Sequence, residues 1–196
     1  MHKDLVTQPK SSFLSYEKDV EIILRKLFID KKEWGDTLKR LLVINTPDCI
    51  DKKSELYNFY QNKIDKMSFA DLKKQGYIRL EPKISMEEHN EEKSYLLIAF
   101  DDFVPNATNP QFRDCTVAID IICHKDCWDI QDYQIRPLKI AGYIDGMLNE
   151  THLTGIGKFH FMGCSYTSID EILAGYTILY RAVHGSDDQI DNSEEE

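Results

Sequence analysis

Apolar residues recur at helical spacing through the first 76 residues of the chain. One stripe predicts a helix over about 15–30, and a second predicts a helix over about 32–43. A third run, over 52–76, is rich in lysine and aromatic residues, with Ser68 as candidate N-cap of a short helix that ends at Gly76. We interpret 32–75 as a helical annex with a solvated lysine face. Binding of RNA or DNA by this basic and aromatic mixture is the alternative.

The period changes from helical to strand-like after Gly76. Segments 77–84 and 95–100 are predicted strands, and Pro82 limits the first of them to a sheet edge or a strand end. Segment 101–114 contains two prolines and shows no period, so we expect a long loop between strands. A polar turn with two aromatic residues is expected over 124–134.

The alternating run 115–123 predicts a strand with two different faces. Val117, Ile119 and Ile121 share one face, which should be buried. Asp120 lies on the other face. That face is therefore either partly solvated or in contact with another subunit.

A helix, a short link and two strands complete the apolar pattern. Pro137 suits the first turn of a helix over 137–149. Its predicted buried side consists of Leu138, Ile140, Ala141, Ile144 and Leu148. Gly142 and Gly146 lie four residues apart, which permits close packing at the cost of helix propensity. Strands are expected over 158–168 and 175–184; in the first, Phe161 should share a face with Gly163, opposite to His160, Cys164 and Tyr166.

These elements predict an α+β fold. We expect a mainly antiparallel sheet of about four to five strands packed on helices, with a helical N-terminal annex. Residues 15–184 should form a single domain that includes the annex. Residues 1–14 should be flexible, and the tail 185–196, with six acidic residues, should be disordered.

The charge of the chain is divided between its two parts. The net charge is −10 over 196 residues, yet residues 1–80 carry 16 Lys and Arg against 12 Asp and Glu. Residues 81–196 carry 8 against 22. Tight nucleic-acid binding needs clustered Lys and Arg, so the acidic part argues against it. An acidic surface that keeps DNA from sticking is the alternative to one that only confers solubility.

Few residues point to chemistry. Cys123, His124 and Cys127 could form part of a zinc site that Cys115, or His160 and Cys164, would complete, but their spacing favours buried thiols at a strand end. The pairs Asp101-Asp102 and Asp187-Asp188 could hold magnesium, although such pairs are more often turn residues. We therefore expect no metal, no cofactor and no catalytic residue. The odd count of five cysteines and the lack of an export signal or an apolar span predict free thiols, a cytosolic protein and no membrane partner.

Three segments carry a resemblance to the tail-terminator and neck proteins of tailed bacteriophages. They are TVAIDIICHKD, IRPLKIAGYIDGML and KFHFMGCSYTSIDEILAGYTILYRAVHG, within residues 77–184. In that family a polar connection leads from a strand into a helix, and two closing strands follow. The last strand begins with a glycine-aromatic step, which Gly175-Tyr176 matches.

The resemblance implies a structural virion protein and not an enzyme. Identical subunits, commonly six, would form a ring that caps the tail tube and joins it to the head-side connector, with DNA passing through the lumen without specific binding. Such a protein is assembled in the host cytoplasm and resides in the virion. Another head–tail adaptor or a baseplate component is the alternative, and a small metal-binding protein or enzyme is a third.

The two connecting segments are the expected contact regions with the tube or the connector. The predicted interface residues are Phe103, Phe112 and Arg113 in 101–114, and Trp128, Asp129 and Tyr133 in 124–134.

Overall fold

The structure is a computed structural model that describes residues 16–80, 91–107 and 113–184. The predicted flexible segment 1–14, the acidic tail 185–196 and Phe112 lie outside these ranges. Within them the chain has an α+β fold, as predicted.

The N-terminal helices follow the predicted stripes. They are α1 (Tyr16–Arg25), which continues into a π-helical segment (Lys26–Asp30), then α2 (Lys32–Val43), α3 (Glu55–Ile64) and α4 (Phe69–Lys74). The stripe residues of the first two elements are buried because they face the sheet core. Ser68 caps α4 in a reciprocal capping box with Asp71, so the predicted cap is confirmed.

A five-stranded sheet forms the second layer, in the order β1-β2-β3-β9-β8. Its strands are β1 (Ile78–Arg79), β2 (Ser94–Pro105), β3 (Arg113–His124), β8 (His160–Ser168) and β9 (Leu173–His184). All neighbours pair antiparallel except β1, which is parallel to β2. Two small hairpins, β4–β5 (Asp129–Ile130, Gln134–Ile135) and β6–β7 (His152–Leu153, Gly157–Lys158), flank the last helix.

In its described part, the predicted loop 101–114 is mostly strand. Strand β2 continues to Pro105 and β3 begins at Arg113, with an irregularity in the pairing between Asp101 and Val104. This bulge disrupts the alternation of side chains, which hid the strand from the periodicity. In the described part of the predicted strand 77–84, only Ile78 and Arg79 pair with β2.

Helix α5 (Arg136–Leu148) packs against β3 and β9. Ile140, Ala141, Ile144 and Leu148 are buried as predicted, but Leu138 is 42% exposed and was assigned to the wrong side. A Cβ at Gly146 would lie 2.6 Å from the indole of Trp34, whereas one at Gly142 would meet no atom within 4 Å. The prediction of close packing is therefore confirmed for Gly146 only.

The buried face of β3 is as predicted, whereas Ile122, on the face expected to be partly solvated or in contact with another subunit, is buried within the chain. Val117, Ile119 and Ile121 are fully buried on the face towards the helices. Gly175 of β9 pairs with Ile122 of β3 and has no space for a side chain, since a Cβ would lie 1.7 Å from the carbonyl oxygen of Ile121. The glycine of the Gly175-Tyr176 step is thus a requirement of the β3–β9 contact.

Candidate assembly surface

Strand β8 lies at the edge of the sheet and pairs with β9 on one side. Its nine residues are half-buried or exposed along the whole strand. The sequence HFMGCSYTS contains no Lys, Arg or Pro, the residues that commonly protect an edge strand from pairing with another chain. From Gly163 to Ser168 the strand is in unbroken register with β9, which gives a straight, available edge.

A bulge at Met162 reverses the predicted alternation of β8. Phe161 pairs with Tyr180, but the next paired residue is Gly163, opposite Leu179. Cys164 and Tyr166 therefore share the helix-side face with Phe161, while Gly163 points to the other face. The predicted faces of this strand are wrong beyond Met162.

Aromatic rings line the helix-side face next to this edge. The Tyr166 ring lies 5.9 Å from that of Tyr176 and 6.4 Å from that of Trp128, both edge to face. We call these three residues the aromatic row. Tyr166 is 60% exposed and Phe161, which contacts Tyr180, is 46% exposed. Neighbouring aromatic side chains that remain this exposed are typical of interaction surfaces.

The first set of predicted contact residues lies where β2 and β3 meet their connection. The Phe103 ring stacks on Phe100 at 6.1 Å and is half-buried, so it is part of the local packing. Arg113 is half-buried and begins β3 opposite Pro105. Next to it, Asp114 accepts a hydrogen bond from the Asn106 side chain at 2.8 Å and forms an ion pair with Arg181 at 2.6 Å. These two contacts hold the pKa of the Asp114 carboxyl below its usual value.

The second set lies at the opposite end of the sheet, after His124. The Trp128 indole N–H donates to the Cys123 carbonyl at 3.2 Å, which orients the ring in the aromatic row. Asp129 is exposed at the start of β4. Tyr133 is fully exposed and has a φ of 61°, a region that bulky residues rarely adopt. The fold thus separates the five predicted residues that the structure describes into two groups.

The far face of the sheet combines a small buried apolar cluster (Tyr95, Leu97, Ile122 and Leu173) with polar contacts. The half-buried Asp120 accepts a hydrogen bond from the Thr177 hydroxyl at 2.6 Å, and Thr177 contacts the Thr167 hydroxyl at 2.7 Å. The Asp120 carboxylate, which suggested either a partly solvated face or a contact with another subunit, therefore has a hydrogen-bond partner within the chain.

Comparison with protein families assigns the chain. The YomW family model matches residues 36–182, from α2 to β9. The chain belongs to the YomW family. This is a phage-type, SPBeta-like family, which agrees with the coarser part of the predicted resemblance. No curated protein matches the chain.

The YomW match includes the helical annex and the entire sheet. α3 and α4 lie inside the matched range, so the annex is part of the family's unit and not an addition to it. Within the described residues, no helix is both long and apolar enough to cross a membrane.

The described residues do not bring the thiols of this YomW chain together in the zinc site that the spacing left open. Burial raises the pKa of Cys123 to about 12 and that of Cys127 to about 11. The Met162 bulge separates His160 and Cys164 onto opposite faces. In the described ranges no three His, Cys, Asp or Glu side chains are grouped to hold a metal. The exposed Asp101 accepts from the Asp102 backbone N–H at 2.9 Å, as a turn residue does.

Among the described residues, Arg136 makes the most side-chain hydrogen bonds, and it was not among the predicted site residues. Arg136 is fully buried, and its guanidinium donates to five backbone carbonyls. They belong to Leu41 (2.8 Å), Ile44 (2.6 Å), Asn45 (3.0 Å), Thr46 (2.9 Å) and Cys127. Arg136 thereby joins the end of α2 and the segment before Trp128 to the start of α5. A cation at a helix N-terminus is unfavourable, and that was the signal in the sequence.

Proposed function

We propose that this chain is a structural virion protein whose copies form a ring on the end of the tail tube and join it to the head-side connector. Membership of a phage-type family and the α+β fold support the proposal. The ring would hold about six copies, the usual number for such assemblies.

The open edge of β8 is the observation that carries the proposal. An edge strand without Lys, Arg or Pro, flanked by exposed aromatic rings, favours contact with another protein surface. In a closed ring every subunit meets two neighbours through two different surfaces, so each β8 edge is covered and none remains open. A ring therefore accounts for an edge that a monomer would have reason to protect.

The separation of the predicted contact groups fits a subunit with two working ends. Phe103 and Arg113 lie at one end of the long strands, and Trp128, Asp129 and Tyr133 follow the other end. In the proposed ring one end contacts the tube and the other contacts the connector. The excess of acidic residues in 81–196 would repel DNA in the lumen and keep it from sticking.

Electron microscopy of a phage lysate tests this function. A phage mutant that lacks the chain should yield DNA-filled heads and separate tails, many of them longer than normal, because nothing caps the tube. Supplying the chain in trans should restore joined virions. Normal virions from the mutant would refute the proposal, while joined particles with a defective baseplate would favour the baseplate alternative.

A further inference from the structure

Helix α3 presents an apolar face that no described part of the chain covers. Its inner side packs on the domain: Arg40 of α2 stacks on the Tyr57 ring at 3.6 Å, and Ile64 is buried. On the outer side Phe59 is 74% exposed and Leu56 is 38% exposed. These two residues and Lys63 are spaced three and four apart, so they form one face of the helix.

Positive charge surrounds this apolar face. Six lysines between residues 52 and 74 are exposed: Lys52, Lys53, Lys63, Lys66, Lys73 and Lys74. Of the three acidic residues in the same span, Asp65 is paired with Arg40 at 2.8 Å and Asp71 bonds with the Ser68 cap, while Glu55 is exposed in the first turn of α3. Lys52 has an exposed contact with Glu33 at 3.6 Å, which offsets little of the charge. We call Leu56, Phe59, Lys63 and the flanking Lys52, Lys53 and Lys66 the α3 surface.

The C-terminal segment of the chain has the complementary chemistry. Residues 185–196, which lie outside the described ranges, contain six acidic residues and no Lys or Arg. Their one large apolar residue is Ile190. An apolar side chain between carboxylates matches an apolar stripe between ammonium groups.

The position of the chain end decides which copy supplies the segment. The annex adjoins the Ser94 end of the sheet, where Lys93 donates to the Gln75 carbonyl at 2.7 Å. The described chain ends at His184, which pairs with Arg113 at the other end. Across the sheet, β1 pairs with Leu96, Leu96 with Ile121, and Ile121 with Tyr176 of β9. Tyr176 is eight residues before His184, so the level of β1 and the end of the described chain are about 26 Å apart along β9.

The reach of the segment is shorter than this distance. Ile190 is the sixth residue after His184 and extends at most about 21 Å from it. Even fully extended, the backbone of Ile190 therefore stops short of the level of β1 in its own chain, whereas the segment of another copy is not tied to this distance. We propose that residues 185–196 of one copy bind the α3 surface of a second copy, with Ile190 against Phe59 and the carboxylates among the lysines. The inference rests on the proposed assembly of identical copies and gives it a second contact besides β8.

Peptide binding tests the contact separately from assembly. A fluorescent peptide of residues 185–196 is titrated into a chain that ends at His184, and anisotropy is recorded. We expect saturable binding that weakens by about tenfold between 50 and 300 mM salt, because the lysines are exposed. Phe59→Asp and the pair Lys63→Glu, Lys66→Glu should each abolish it. Lys18→Glu with Lys125→Glu, the same charge change at exposed sites elsewhere, should bind the peptide with a similar affinity.

The remaining outcomes separate this inference from the proposed function. No binding to the truncated chain, or equal loss in the Lys18, Lys125 control, overturns the inference even if the protein forms rings. If the peptide binds but neither form of the chain assembles, the ring is refuted and the contact stands. Cross-links between the segment and α3 in a mixture of isotope-labelled and unlabelled full-length chains should join the two labels. Cross-links within single copies only would contradict the contact between copies.

Discussion

At the scale of single residues, Arg136 determines how the helices join the sheet. Its guanidinium holds five carbonyls from two segments that are otherwise irregular, and it is fully buried. A buried carbonyl without a donor costs free energy, so the side chain satisfies groups that the fold itself leaves open. The Trp128 ring follows the same segment and depends on it for its position.

Replacing this residue should therefore destabilise the protein strongly. Arg136→Lys has a single amino group and cannot serve carbonyls on both sides of the fork, so we expect a loss of about 3 kcal/mol or more in the free energy of unfolding. Urea denaturation measures it. Arg25→Lys, on the exposed face of α1, should change the free energy by less than about 0.5 kcal/mol. Similar losses in both variants would contradict the role of Arg136.

The buried thiols make stability depend on alkaline pH. Burial raises the pKa of Cys123 to about 12, whereas a thiol in the unfolded chain titrates near about 8.5. As the pH rises, the thiol therefore loses its proton first in the unfolded state. The contribution of the protonated Cys123 thiol to the free energy of unfolding is constant below about pH 8.5 and is lost towards pH 12. Between pH 8 and 10 the wild type should lose about 1–2 kcal/mol more than Cys123→Ala. Equal slopes would show that Cys123 titrates normally in the folded protein.

At the scale of elements, regular periodicity was sufficient to predict helices and strands, but the bulges within strands were not predictable from it. The stripe over 32–43 predicted α2 with its observed bounds, and the alternation of 115–123 predicted the buried helix-side face of β3. The bulges near Asp101 and Met162 each shift a strand by one residue, and nothing in the residue types marks such a shift. The first concealed the second half of β2, and the second reversed the faces of β8.

The candidate surface was predictable only in part for the same reason. Trp128 belongs to both the predicted set and the aromatic row, because an aromatic residue in a polar turn is conspicuous in a sequence. Tyr166 and Tyr176 were assigned to strands, but their contact requires the pairing of β8 with β9 and the register after the bulge. The role of Arg136 could not be predicted, because the sequence does not show which backbone carbonyls at the end of α2 are buried without a backbone donor.

At the scale of the whole molecule, the two edges of the sheet differ. The parallel β1 covers the start of β2 at one edge, while β8 closes the other edge with exposed aromatic residues. The lysine-rich annex and the acidic C-terminal segment belong to opposite ends of the sheet. Different surfaces at different edges favour head-to-tail contacts, which close into rings, over the single two-fold contact of a dimer.

The mass of the protein in solution, measured by light scattering, tests the ring most directly. The wild-type chain has a mass of 22.9 kDa, and we expect an oligomer of about six copies. Tyr166→Lys introduces a charge beside the β8 edge and should yield the monomer, whereas Thr154→Lys, in the exposed turn of the β6–β7 hairpin, which does not pair with β8, should retain the oligomer. A wild-type chain that stays monomeric at high concentration and on purified tail tubes would contradict the account, as would an oligomer that Tyr166→Lys leaves intact.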